Sequence, residues 1–188
     1  MRARANAPRA GTLWITLFTG ASTATTLLLA CATPFPSLAA LAATHMRFRD
    51  GMLLMLLAWA VSQIVGFGLH DYPRDWSTLC WGVGLGTAAL ASAGGAYAAL
   101  RHVQLRSMAA RLAVAYGAAF VAFKLVVAAW ALVLGGLEIT LAPELLLKQG
   151  LRNGAILIGL FLLYRTLVAA GVPALPRPSP LVIRAAAA

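Results

Sequence analysis

The chain's 188 residues are 61% hydrophobic and only 11% charged, with mean hydropathy +0.83, where soluble domains run at roughly 45–50% apolar and about 25% charged. That balance excludes a water-soluble globule, and the long unbroken apolar runs exclude a β-barrel, whose strands alternate over ~10 residues. The formal charge of +10 does not indicate a nucleic-acid partner, because the arginines stand singly or in pairs between apolar runs and form no continuous basic face.

Taken in chain order, Arg2, Arg4 and Arg9 precede an uncharged stretch from Thr12 to Ala32. At ~1.5 Å per residue it is long enough to cross a ~30 Å hydrocarbon core, and it is the first segment. Pro34 and Pro36 break it. The apolar run from Ser37 to His45 that follows, ahead of Arg47 and Arg49, is a short or half helix, either re-entrant or crossing. The third segment runs from Gly51 to Leu69 and the fourth from Ser77 to Leu100, separated by the polar turn His70 to Trp76. The fifth spans Leu112 to about Leu134, and Gly135, Gly136 and Pro143 then mark a loop carrying Glu138 and Glu144. The sixth covers Leu151 to Ala170.

The expectation is thus an all-α, polytopic transmembrane bundle of about six segments: five full spans and one short or half helix. It divides into a basic N-terminal segment (1–11), one membrane domain (12–171) and a flexible Pro/Ala-rich tail (172–188). Six crossings gather Arg2, Arg4, Arg9, Arg47, Arg49, Arg101, Arg106, Arg111, Arg165, Arg177 and Arg184 on one side. Arg74, Lys148 and Arg152 fall on the other, with Asp71, Asp75, Glu138 and Glu144. The Lys/Arg bias makes the first side cytoplasmic, so both termini are expected inside a bacterial cytoplasmic (inner) membrane. The arginine-bearing start and Ala30-Cys31-Ala32 also resemble a cleaved signal peptide or lipoprotein site. The charge pattern works with the first segment retained, and retention is expected. Cys31 and Cys80 lie in apolar sequence and are expected as buried thiols.

Lys124 is the sharpest signal: about 18 Å into the fifth segment, near the bilayer midplane, a lysine must face the bundle or a wet cavity. All five acids lie in turns, so its counter-charge is either absent or supplied by a ligand or partner. The plain alternative is a lysine satisfied by backbone carbonyls. Gln63 sits at a similar depth in the third segment with Trp59 one turn before it, an amide beside an aromatic face that suits a flat polar ligand. Its plain alternative is an interhelical hydrogen bond worth about 1 kcal/mol. In the outer turn, His70, Asp71 and Asp75 are possible ligands of a divalent cation, while Tyr72 and Trp76 match an interfacial aromatic belt. Gly82, Gly84, Gly86, Gly94 and Gly95, with Ala39 and Ala43, are spaced for close helix contact.

No HExxH, GxSxG or Walker loop, intramembrane acid pair or haem-ligand histidine pair is present, so neither an enzyme nor a resident cofactor is expected. The plan resembles the small substrate-binding subunits (S components) of energy-coupling factor vitamin transporters in length, six helices and inside termini, with Ala39-x-x-x-Ala43 in the place of their docking motif. The stretch Trp59 to Gly68 with Tyr72-Pro73 also resembles small proteobacterial proteins of cobalt and cobalamin uptake.

The resemblance implies a transport component that binds a small organic cofactor or precursor from outside, vitamin-like or cobalamin-related, with Trp59, Gln63, Tyr72, Trp76 and Lys124 at the site. It also implies energising partner subunits docked on Ala39 and Ala43. A cobalt-like metal permease using His70, Asp71 and Asp75, and a membrane scaffold, are the alternatives.

Overall fold

Prolines and glycines cut the apolar sequence into helices. In the computed structural model, which describes residues 7–28, 34–103 and 105–175, these are α1 (Ala7–Leu28), α2 (Phe35–His45), α3 (Phe48–Leu69), α4 (Trp76–His102), α5 (Met108–Leu134), α6 (Leu137–Leu141) and α7 (Pro143–Ala169). Among the described residues there is no strand. The Ala30-Cys31-Ala32 segment, Arg2, Arg4, Arg177, Arg184 and the tail past residue 175 lie outside the described residues.

Four helices, α3, α4, α5 and α7, are long and apolar enough to cross a bilayer, which is the architecture of a helical membrane protein. This corrects the expected six segments with five full spans. α1 has the length of a span, 22 residues, but six of them are threonines and one is arginine, and it is not among the four. Pro143 is not in a loop. It stands in the first turn of α7, where its missing N–H is no loss, so that helix starts eight residues before the expected Leu151. The stretch assigned to a loop contains the separate short helix α6, set off from α5 by Gly135 and Gly136 at φ of 89° and 91°, a backbone that other residues rarely adopt.

α2 is the axis of the bundle. All eleven residues from Phe35 to His45 are buried, against α3, α4, α5 and α7, as a helix apolar all round demands. Ser37 and Thr44 are kept polar at no loss: Ser37 Oγ donates to Asn153 O on α7 at 2.6 Å, and Thr44 Oγ1 donates back to Ala40 O or Leu41 O at 3.0 and 2.9 Å. The hydroxyl of Tyr97 on α4 lies 3.0–3.3 Å from the carbonyls of Ala42, Met46 and Arg47, at the junction of α2 and α3, where Ala42 O also accepts from Met46 N and Arg47 O from Gly51 N. Ala39 and Ala43 are 0% and 5% exposed. They pack within the chain's own core, so the docking surface expected of them is closed by α2's neighbours.

α4 lies between α3 and α5, and its Gly-x-Gly-x-Gly run shows how. Positions 82 and 86 share one helix face and position 84 the opposite one. A β-carbon at Gly86 would meet the Trp59 ring at 2.8 Å, and one at Gly84 would meet the Trp130 ring at 3.0 Å. Trp59 Nε1 donates to Gly82 O at 2.8 Å, and Trp130 Nε1 to Thr87 Oγ1 at 3.0 Å. α1 runs beside α3, its Trp14 packed on Tyr164 with ring centroids 4.7 Å apart. Trp14 Nε1 donates to Pro173 O at 2.8 Å, and Leu175 is buried, so the first residues of the expected tail are packed against α1. The outer surface of the bundle carries Ile64, Leu125, Leu132, Val133 and Ile158 exposed, a face suited to lipid.

Candidate functional site

Four long helices, the short helix α6 and the turn after α3 line a partly open cavity of about 290 Å³. α3 contributes Ser62, Gln63, Val65 and Gly66, residues that share a face by their three- and four-residue spacing. α5 contributes Phe123, Lys124 and Val127, α7 contributes Leu145, Gln149, Arg152 and Asn153, and α4 adds Leu85. His70 and Tyr72, from the turn after α3, and Ile139 and Thr140 of α6 complete it.

Local chain geometry places each polar group. Past α3 the backbone folds back, His70 N donating to Val65 O and Tyr72 N to Gly66 O, both at 3.2 Å. Asp71 between them takes φ 48°, a left-handed conformation that aspartate tolerates better than most residues. This lays the Tyr72 ring over Gly66, where a β-carbon would be 2.7 Å from it. His70 stacks on Tyr72 at 6.1 Å. Gln63 Nε2 donates to Ser62 Oγ at 3.3 Å, and its Oε1 lies over Gly82. Asn153 is held from two sides, donating to Gln149 O at 3.0 Å and approached by Ser37 Oγ at 3.3 Å from its Oδ1.

Lys124 is 9% exposed and lies roughly 24 Å along α5. Its ammonium stands 6.0 Å from the centroid of the Phe120 ring, a distance at the outer limit of a cation–π contact. Among the described residues lining the cavity there are two fixed cations, Lys124 and Arg152, one imidazole, His70, and no carboxylate.

Of the five residues expected to bind ligand, the structure brings Gln63, Tyr72 and Lys124 to one cavity. Trp59 is not in the lining; its indole is spent on Gly82 O and on the groove over Gly86. Trp76 is 79% exposed at the start of α4. His70, Asp71 and Asp75 do not gather into a metal site: among the described residues no three His, Cys, Asp or Glu side chains do. Asp75 instead caps α4 through Thr78 N at 3.3 Å, and hydrogen bonds from Thr78 hold its carboxyl below the usual carboxylate range. Cys80 is free and half-buried, less enclosed than expected.

Sequence reasoning missed Gln149, Arg152 and Asn153. Their spacing puts them on one helix face with Leu145; the start at Leu151 left Leu145 and Gln149 outside the segment, and Arg152 was read only as a charge on the outer side.

Compared with protein-family models, with curated proteins and with solved structures, the chain has no match.

Proposed function

We propose that the protein is the substrate-binding component of a membrane uptake system, taking a small organic molecule into the cavity among α3, α4, α5, α6 and α7. The observation that carries this reading is the convergence of Gln63, Tyr72, Lys124, Arg152 and Asn153 on one partly open cavity. Polar side chains at membrane depth are costly unless they serve a partner or a ligand. An apolar wall with a few convergent polar groups is how small-molecule sites are built. The volume, about 290 Å³, falls just below the ~300–1,000 Å³ of such sites, which favours a compact vitamin-sized molecule over a corrinoid.

The charge distribution supports an orientation in a bacterial cytoplasmic membrane. Arg47, Arg49, Arg101, Arg106 and Arg111 stand at the starts of α3 and α5 and the end of α4, the side that the Lys/Arg bias assigns to the cytoplasm. The turns at His70–Asp75 and Gly135–Ala142, beside the cavity, then face outward. In this reading the binder works with energising subunits, since the sequence has no nucleotide-binding loop.

The test is a thermal-shift screen of detergent-solubilised protein against compact vitamins and their precursors, repeated with Val127→Trp, which fills the cavity. A hit in the wild type that is lost in a folded Val127→Trp supports the reading. Stabilisation surviving that substitution, or none by any compound, overturns it.

A further inference from the structure

The two ends of the bundle carry unequal charge. The Tyr97 hydroxyl lies 3.0 Å from Arg47 O, holding the end of α4 against the start of α3. The His45 ring packs on Tyr164, centroids 4.5 Å apart, and brings the ends of α2 and α7 together. Arg47, Arg49, Arg101, Arg106, Arg111 and Arg165 therefore stand at one end. Of the protein's five acids only Asp50 is there; Asp71, Asp75, Glu138 and Glu144 stand at the opposite end. A single carboxylate leaves most of this positive charge to a partner outside the chain.

Arg49 is also the foot of an apolar ridge. Leu53, Leu56, Leu57 and Ile64 follow it on one face of α3 at helical spacing, and all are exposed. From Arg49 to Ile64 the ridge runs roughly 20 Å, enough to span one leaflet of a ~30 Å hydrocarbon core. Phe48, exposed and set edge-on to Tyr97, stands at the foot of the ridge, where aromatic rings favour the headgroup boundary. A cationic foot below an exposed hydrocarbon wall has the shape of a phospholipid. A soluble acidic protein would meet the arginines and leave the ridge bare.

We infer that this end of the protein binds an anionic phospholipid, its phosphate among Arg47, Arg49 and Arg101 and an acyl chain along Leu53, Leu56 and Ile64. Arg101 joins the site because it follows Tyr97 by one turn on the same face of α4. The guanidinium fork matches a phosphate at two oxygens, and the cluster of positive charge selects a net negative headgroup over a zwitterionic one. This site is separate from the cavity and stands whether or not the cavity takes a substrate.

The experiment adds dioleoylphosphatidylglycerol or dioleoylphosphatidylcholine, at equal mole fraction, to the full chain in dodecyl maltoside and reads the melting temperature. The anionic lipid raises it by roughly 3–6 °C more than the zwitterionic one. That difference disappears when Arg47→Gln, Arg49→Gln and Arg101→Gln are combined, and it persists when Arg74→Gln and Lys148→Gln are combined at the opposite end. In the wild type it also shrinks as sodium chloride is raised from about 0.05 to 0.5 M, as a charge contact near the surface must, a readout that needs no variant to fold. Equal stabilisation by the two lipids, or a difference indifferent to salt, overturns the inference. Loss of the difference in the Arg74 and Lys148 variant overturns the location. An equal rise with sn-glycerol 3-phosphate overturns the lipid in favour of a free phosphate, and an equal rise with poly-glutamate overturns it in favour of an acidic polypeptide.

Discussion

The amide of Gln63 occupies the space that a side chain at residue 82 would need: Oε1 lies 2.8 Å from where a β-carbon on Gly82 would stand. One turn further along the same face of α4, Gly86 receives the ring of Trp59. Two absent side chains on α4 therefore set how α3 approaches and where its one mid-helix amide points. The pattern first looked like generic close packing, and it has a specific role in shaping the cavity wall.

Substitutions at these glycines should rank by what the added methyl meets. Gly82→Ala meets the end of a flexible side chain that can swing aside, so it costs less than ~1 kcal/mol while displacing the Gln63 amide. Gly86→Ala meets the Trp59 ring, and Gly95→Ala meets Ala122 Cβ at 2.9 Å and the Ala118 carbonyl at 3.1 Å, neither of which yields freely. Each should cost about 1–3 kcal/mol. Unfolding in detergent measures the order, and a larger loss for Gly82→Ala than for Gly95→Ala contradicts it.

Ser37 ties the first turn of the central helix to α7 where Asn153 lines the cavity. Ser37→Ala should cost about 0.5–1.5 kcal/mol. Asn153→Ala keeps the carbonyl that accepts from Ser37 and removes only the Oδ1 at 3.3 Å, so the two losses should be nearly additive in a double-mutant cycle. Strong sub-additivity would mean that the hydroxyl is held by the Asn153 side chain and not by its carbonyl.

How much of this was legible in the sequence depended on local signals. Lys124 announced itself, because a lysine amid Phe123, Leu125, Val126 and Val127 is costly at that depth. The equal depth of Gln63 followed from counting ~1.5 Å per residue. Trp59 and Trp76 went astray for another reason: residue type does not tell which face of a helix an indole takes, and Gly86 decides that for Trp59. The short segment from Phe35 to His45 was recognisable as too short for a span. Its central position was not, since burial on every side depends on four other helices arriving around it. Gln149 was lost with the helix boundary at Pro143, which the preference of proline for a first turn would have corrected.

Asp75 gives the outer turn a dependence on pH. Its carboxyl is held low by hydrogen bonds from Thr78, the side chain foremost. The ionised form is therefore favoured in the folded state, and its stabilisation is complete above the ordinary carboxylate pKa and lost as pH falls through the lowered folded value. In Asp75→Asn the neutral side chain still caps α4 but contributes no such dependence. The melting-temperature difference between wild type and Asp75→Asn should be constant at neutral pH and shift against the wild type only in acid. A difference that varies between neutral and mildly alkaline pH would point to another group.

Tyr97 joins the central helix to the start of α3. Its hydroxyl is the side-chain donor at the carbonyls of Ala42, Met46 and Arg47, and its ring sits over Gly51, which has no side chain to exclude it. Tyr97→Phe keeps the ring and removes the hydroxyl donor, while Ala42 O and Arg47 O keep their backbone donors, and should cost about 0.5–1.5 kcal/mol. Gly51→Ala puts a methyl where the phenol lies, with ring carbons at 2.9 Å. It should cost more, about 1–3 kcal/mol, and displace the ring as well. Hydrogen exchange localises both effects: amides from Ala42 to Gly51 should lose protection in each variant, while those around Gly82 to Gly86 keep theirs. Uniform loss across the bundle would show instead that this contact is part of global stability, with no separate hold on the junction of α2 and α3.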